Sequence, residues 1–454
     1  MNKDSSQAGQ AFHQKLGEIV GAKNVLTGEK ETAPYTVDGL TPQAVTYPAT
    51  TEQVANIVRA ANESRTTLVP WGGGSRQESG PCLNSADTVL CLKNMNQVVE
   101  LDAGNFTVQV QAGIVNDELQ KQLAKETFFL PLDPFYTERS TIGGEIAVNA
   151  SGPRRTMYGL IRDLVLGVTV VTPTGDIVHT GGKTMKNVAG IDLCRMYIGS
   201  WGTLGVITEA VLRLFPLPET STGIYITFPD PEEAFRMVGQ LLNSPLTPSA
   251  IELADSVAGQ NVAEATGSKL NDGEVLLIVN AEGTKDDVGR HRKDIASFAE
   301  ANRAKNTITL EDEEASRAWK VYRDVHEAML GDNSSTLQGK ASVPISKLGD
   351  MYKEAKKISA SHGVKTGVTA QCGSGILYTY LTDTPEKLVN ITGVLKKAAV
   401  DMSGFFLVES APLSFRKEVA ILPPRNDYRL MRRLKTEFDP KNILNPGRLV
   451  GGLR

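Results

Sequence analysis

Only four cysteines occur in 454 residues, at Cys82, Cys91, Cys194 and Cys372, and no two of them form a C-x-x-C pair. Neither a zinc site nor an iron–sulfur cluster can be assembled from them, so any such cluster belongs to a partner. Long apolar runs are also missing. No stretch approaches the ~18 to 20 residues needed to cross a bilayer, and "MNKDSSQAGQAFHQKLGEIV" lacks the apolar core of a secretory leader. The expected location is the cytoplasm, with peripheral membrane contact only through partners. An excess of one charge is absent too: 48 Lys+Arg against 52 Asp+Glu give a net charge of -4 without a block of like sign. Nucleic acid is therefore not an expected partner.

What is present reads as a folded protein, with 41% apolar and 22% charged residues. The length suggests two or three domains at ~150 residues each. "TTEQVANIVRAANES" places Thr50 and Gln53 in capping-box spacing, and Val54, Ile57, Val58 and Ala61 recur at helical intervals. That amphipathic helix feeds a short strand, "TTLVP", which ends at the triple glycine of "VPWGGGSRQESG". Alternation in "TVQVQAG" predicts another strand, "VNDELQKQLAKE" a helix, and "DLVLGVTVVTPTGDIVHTGG" two strands joined by a turn at 173–176. Beyond Pro216 and Pro218 the texture shifts to helices such as "PEEAFRMVGQLLNS" between strands such as "EVLLIVNAEG" and "GILYTYLTD", a second α+β unit. Tyr428, Met431, Leu434 and Phe438 share a helical face, and "FDPKNILNPGRLV" after them carries two prolines, so it must run extended and dock elsewhere.

Three modes of phosphate binding compete for "WGGGS". A Rossmann fingerprint fails because Gln77 stands where its third glycine belongs, and a Walker loop fails because no lysine lies nearby. A backbone nest remains, in which successive glycines expose N–H groups that no Cβ obstructs. A plain glycine-rich turn at a strand end explains the same residues. A second segment, "LPLDPFYTERSTIGGEIAVNASGPRRTMYGLIRDLVLGV", favours the nest: Gly143, Gly144, Gly152 and Gly159 lie among small residues that let another group approach the backbone.

Together, "PWGGGS", "STIGGEIAVNASG", "MYGLIRDLVLG", "GSWGTLGVITEAVLRLFP" and "FDPKNILNPGR" resemble the FAD-linked oxidase superfamily typified by vanillyl-alcohol oxidase. The resemblance covers most of residues 40–215 and returns at the C-terminus. It implies an α+β chain with a two-part FAD-binding domain of the PCMH type at 1–218. An α+β cap or substrate domain at 219–429 and a C-terminal segment at 430–454 that packs back on the FAD domain complete it. By that resemblance Trp71, Gly72, Gly73, Gly74 and Ser75, closed by Ser79 and Gly80, clamp the FAD pyrophosphate. Pro131, Leu132, Asp133, Pro134, Thr141, Gly143, Gly144, Asn149, Gly152 and Tyr158 contact pyrophosphate, ribose and isoalloxazine edge. Gly202, Gly205 and Val206 pass the adenine, and Asn445 returns the tail to the flavin. Some members tether FAD through a histidine in the first loop. Gly74 holds that place here, so non-covalent FAD is expected.

Within the superfamily, "GGKTMKNVAGIDLCRMYIGSWGTLG" is similar to the glycolate oxidase and D-lactate dehydrogenase branch. "KNVAG" followed by Asp192, with "FDPKNILNPGRLVGG", is most similar to the smaller FAD-binding subunit of the bacterial glycolate oxidase complex. This implies an iron–sulfur subunit and a second flavin subunit as partners, and a small 2-hydroxy acid as substrate of the complex. The alternative for "KTMKN" is a solvated loop. Catalytic relatives carry H-x-G-D-G-N-L-H and a later E-H pair, which supply metal ligands and a base. Here "QCGSGILY" sets Gln371 and Tyr378 at the two histidine positions and Ser374 at the aspartate, while "FLVESAPLS" keeps Glu409 but has Ser410 for the base. One carboxylate does not replace two imidazoles, so no metal is expected.

Removing the hydroxyl proton of a 2-hydroxy acid calls for a base that titrates near neutrality. His13, His179, His291, His326 and His362 are read instead as surface or internally satisfied residues. Tyr378 could serve only with a strongly lowered pKa. Arg323 and Lys340 could anchor a carboxylate, although solvated surface is the preferred reading of both. Catalytic residues thus stay unassigned. The expected function is an FAD-binding subunit of a glycolate- or lactate-oxidising complex, exchanging electrons with an iron–sulfur partner. The alternatives are a self-sufficient metal-free flavin dehydrogenase or oxidase, and a scaffold subunit whose flavin does not turn over.

Overall fold

Thr50 opens the helix Thr51–Ser64 by accepting from the Gln53 N–H at 3.2 Å. The helix buries Val54, Ile57, Val58 and Ala61 and ends at Arg65 in the left-handed conformation, φ 58°. The strand Leu68–Trp71 follows and pairs in parallel with Thr88–Cys91, itself parallel to Ala44–Thr46. Val25–Leu26 completes this four-stranded sheet. A second sheet of five antiparallel strands runs in the order Val98–Asp102, Thr107–Gln111, Val206–Arg213, Val165–Val171, Ile177–Gly181. Both sheets close on one hydrophobic core that includes Val54, Leu68, Val110 and Val170. This computed structural model describes residues 3–183, 190–331, 335–419, 421–423 and 425–448. Most of "KTMKN" and "KNVAG", and the end of the tail, fall outside them. Among the described residues no helix is long and apolar enough to cross a membrane.

The tail docks through its backbone. Leu68 N donates to Ile443 O at 2.7 Å and Asn445 N to Leu68 O at 3.0 Å, so the tail lies parallel beside the strand that enters the glycine loop. Ile443 and Leu444 thereby join the first core. Asp439, buried at the end of the helix Tyr428–Phe438, accepts from Ile443 N at 3.0 Å, Leu444 N at 2.9 Å and Lys435 Nζ at 2.5 Å. Lys435 spends its remaining donors on the carbonyls of Thr203 and Leu444, both at 2.9 Å. The helix stops where this carboxylate takes over the N–H groups of the tail.

The rest of the chain forms an eight-stranded antiparallel sheet, ordered Asn306–Glu311, Thr220–Phe228, Val275–Gly283, Ala250–Asp255, Lys365–Gln371, Ile376–Thr382, Thr336–Ser342, Phe405–Ser410. Alternation gives its two faces different characters. One face presents Leu253, Leu337, Val368, Ala370, Leu377 and Leu381 to helices that include Pro231–Leu242, Leu348–Ser361 and Pro385–Asp401. The opposite face carries Glu252, Thr369, Gln371, Tyr378, Tyr380, Gln338 and Lys340 in register across four central strands. The helix Asp312–Leu330 covers part of that face with Trp319 and Tyr322.

Asp439→Asn leaves the Lys435 ammonium buried without its carboxylate. We expect a loss of ~3–5 kcal/mol, seen as an earlier urea midpoint at unchanged slope. A shift no larger than a surface pair gives, under ~1 kcal/mol, would show that the tail is held by other means.

Candidate functional site

The two glycine segments meet across a cleft that opens to solvent, the concave setting in which small-molecule sites form. Trp71, Gly72, Gly73, Gly74 and Ser75 line it, as do Pro134, Thr141, Gly143, Gly144, Gly202, Gly205, Val206 and Asn445. Close packing explains the first glycines: a Cβ on Gly73 would lie 1.5 Å from Arg139 O, and one on Gly72 2.1 Å from Thr141 Oγ1. Gly74 adds a left-handed φ of 73°. The backbone N–H groups of residues 72–75 meet no acceptor among the described residues, the donor row that an anion needs. Asn445 donates to Trp201 O at 2.7 Å and leaves its buried Oδ1 without a partner there.

The other expected residues stand behind this lining. Ser79 and Gly80 offer their carbonyls to Arg448 at 2.9 Å and Arg416 at 3.4 Å. A Cβ on Gly152 would lie 1.9 Å from Asp133 O. Pro131 is buried, and Asn149 has φ 52° with a buried, unpartnered Oδ1. Tyr158 packs edge-on against Phe129 and Phe215, at 5.7 and 5.0 Å. Leu132 and Asp133 line a separate cavity with Arg154, Glu282 and Arg323, where burial, only partly offset by Arg154 and Arg323, pushes the Asp133 carboxyl up to about 6. Sequence reasoning missed Arg76, Phe135, Glu145, Trp201 and Arg448, all of which line the cleft. Glu145 is buried under hydrogen bonds from Ser140 Oγ at 2.5 Å and Asn116 Nδ2 at 3.0 Å. Burial outweighs those bonds and raises its pKa to about 7.

Beneath the first loop lies a buried Arg–Asp–Arg triad. Asp38 accepts from Arg416 Nη2 at 2.6 Å, stands 3.3 Å from Arg448 Nη2, and accepts from Leu83 N at 2.8 Å. Arg448 Nη1 donates to Ser79 O and Pro81 O at 2.9 Å, and Nη2 to Gln77 O. Side chains from three distant stretches thus fix the carbonyls on the outer side of the loop.

The polar face of the large sheet meets the cleft through Arg76 and Phe135. Two expectations are corrected here. Lys340 is not solvated: strand alternation aims it at Glu409, 2.9 Å away, and its Nζ lies 5.6 Å from the Tyr378 ring centroid. Arg323 is half-buried, donates to Thr137 Oγ1 at 3.2 Å and has a buried Nε without a partner. Glu409 also stands 3.6 Å from Arg76 and accepts from Gln338 Nε2 at 3.0 Å. Burial opposes its ionisation, but Lys340 and Arg76 prevail and hold the carboxyl at about 2. His326 is internally satisfied, yet it belongs to this cluster: Nδ1 meets Tyr380 OH and Nε2 meets Gln338 Nε2, each at 2.5 Å. Phe135 stacks on its ring at 3.5 Å between centroids. Burial, with Arg76 adding, keeps that imidazole neutral. Gln371 and Tyr378 are both buried on this face, and Ser410 bridges to Ser79. A metal does not fit: Gln371, Tyr378 and Ser410 bring no imidazole, and Lys340 takes up Glu409.

Residues 42–181 match the FAD binding domain family, and residues 217–399 and 423–449 match the C-terminal domain of FAD linked oxidases. The chain is 30% identical over 417 residues to glycolate oxidase subunit GlcD of Bacillus subtilis (strain 168), spanning 90% of this chain and 89% of that one. It belongs to the FAD-linked oxidases. This oxidase is also 28% identical over 431 residues to the mitochondrial D-lactate dehydrogenase (cytochrome) of Arabidopsis thaliana, spanning 90% and 73% of the two chains. Its fold matches that of 4-ethylphenol oxidase from Gulosibacter chungangensis with TM-score 0.76 at 19% identity, over 98% and 97% of the chains. It is an FAD-dependent oxidoreductase of α+β, vanillyl-alcohol oxidase type, and the unpartnered N–H row at 72–75 suits the pyrophosphate of FAD.

Acid precipitation of the purified protein is expected to release yellow flavin into the supernatant; flavin kept in the pellet would reveal a covalent link. Gly73→Ala is expected to weaken FAD binding by ~100-fold or more, since the Cβ meets backbone rather than a movable side chain. A native flavin-to-protein ratio after gel filtration would contradict the clamp.

Proposed function

We propose that this oxidase oxidises a small 2-hydroxy acid at its own FAD and passes the electrons to an iron–sulfur partner. In this reading residues 1–218 and 430–454 hold the flavin, through the loop residues named above, and 219–429 supply the substrate face. The observation that carries it is the cationic cluster of Arg76 and Lys340 around Glu409 where the sheet meets the cleft. Bound FAD supplies a two-electron acceptor. Lys340 and Arg76 hold the substrate carboxylate and stabilise negative charge on its hydroxyl oxygen, which lowers the pKa of that hydroxyl. Glu409, at about 2, is too weak a base for the proton and instead keeps both cations in place. Phe135, seated on His326, shields the interior of the cluster from water. A partner subunit is supported by the word subunit in the Bacillus subtilis relative's name.

The test is anaerobic mixing of the FAD-loaded chain with glycolate, D-lactate or L-lactate. Flavin bleaching by one of them is expected, and Lys340→Met is expected to raise its half-saturation ~30- to 100-fold at unchanged flavin content. If the isolated chain stays oxidised with every acid and bleaches only inside the complex, it is a relay and its own site does not turn over. If Lys340→Met is reduced like the native chain, the carboxylate lies elsewhere.

A further inference from the structure

Arg155 opens the short helix Arg155–Tyr158, which packs on the strand Ala250–Asp255 and the turn Cys372–Ser374 of the large sheet. It is half-buried and makes no ion pair or side-chain hydrogen bond among the described residues. Polar atoms beside it are unmet as well. Gln371, 1% exposed, has no partner for either amide atom, and Glu252, paired with it across the strands, has none for Oε1. Thr156 Oγ1 is the third such group, in contact with the turn at Gly373. Buried groups of this kind are normally satisfied, so three of them left unmet beside an unpaired arginine mark a place that a ligand completes.

The chemistry of the set is that of an anion site. A guanidinium, an amide and a hydroxyl are donors; Glu252 joins them, because burial raises its pKa well above the ordinary range and keeps it protonated, with Tyr322 OH on its other oxygen at 2.6 Å. The count of charge points the same way. Lys340, Glu409, Arg76 and Arg155 all act on the Tyr378 hydroxyl, three cations and one anion around one side chain. A second substrate carboxylate gives Arg155 the counter-ion that Glu409 gives Lys340.

We propose that the preferred substrate is a 2-hydroxy dicarboxylate, with one carboxylate on Lys340 and Arg76 beside the reacting carbon and the other on Arg155 and Gln371. This rests on the reading that a hydroxy acid is oxidised at this chain's own flavin. Bound FAD would accept the C2 hydrogen with its electron pair, the hydroxyl proton would pass to water on the open side of the cleft, and a 2-oxo dicarboxylate would remain.

The experiment compares anaerobic flavin reduction of the FAD-loaded full chain by D- and L-forms of lactate, malate and 2-hydroxyglutarate. A dicarboxylate is expected to half-saturate at ~10-fold or more lower concentration than lactate. Arg155→Gln is expected to raise that value ~100-fold while raising the lactate value far less, and Arg155→Lys to restore part of the preference. Reduction by lactate as well as or better than by any dicarboxylate overturns the inference and leaves the proposed function standing. An Arg155→Gln variant that raises both values equally also overturns it. If no acid reduces the flavin, the reading of a self-acting site falls and this inference with it. Should the variants not fold, the native comparison alone decides.

Discussion

The buried carboxylate of Asp38 is the contact on which the FAD loop depends. It binds Arg416 from the far end of the large sheet and Arg448 from the tail, and these arginines hold the carbonyls of Gln77, Ser79, Gly80 and Pro81. The adjoining residues 72–75 line the cleft, and their N–H groups meet no acceptor among the described residues. A triad of two arginines and one aspartate also carries net positive charge under the glycine loop proposed to hold the FAD pyrophosphate. Such a group is costly to desolvate, and here backbone carbonyls satisfy the guanidinium donors that the single carboxylate cannot.

The same economy shapes the polar face of the large sheet. One strand period assigns Leu337, Ala341 and Leu377 to the core and Gln338, Lys340 and Tyr378 to the opposite side. A slip of one residue would exchange the two sets, so the register that packs the core is also the register that builds the cluster. The irregularity between Gln338 and Gly339 in the pairing with the last strand brings Glu409 to Gln338 and Lys340 together. His326 then enters from the covering helix and Phe135 from the FAD half, so the site is complete only when both halves and the tail are assembled.

Local signals were readable in the sequence. The Thr50 cap, the strand into the triple glycine, the turn at Gly175 and the docking tail with its two prolines all follow from neighbouring residues, and each is present. The glycine loops were readable too, because a Cβ-free backbone is written directly in the residue type. What escaped depends on distance along the chain. Lys340 and Arg323 look like solvated charges until Glu409 and Thr137 are brought beside them. His326 looks scattered until Tyr380 and Gln338 meet it on a strand pair. Arg76 follows the glycines that were singled out, yet a lone arginine after a loop carries no mark of the carboxylate it will face.

The dependence of the FAD loop on Asp38 is open to one direct measurement, hydrogen–deuterium exchange of Asp38→Asn against the native chain. The account predicts faster exchange confined to residues 71–84 and 442–448, together with loss of FAD, while the strands at 365–371 and 376–382 keep their protection. Native protection at 71–84 in the variant would contradict it.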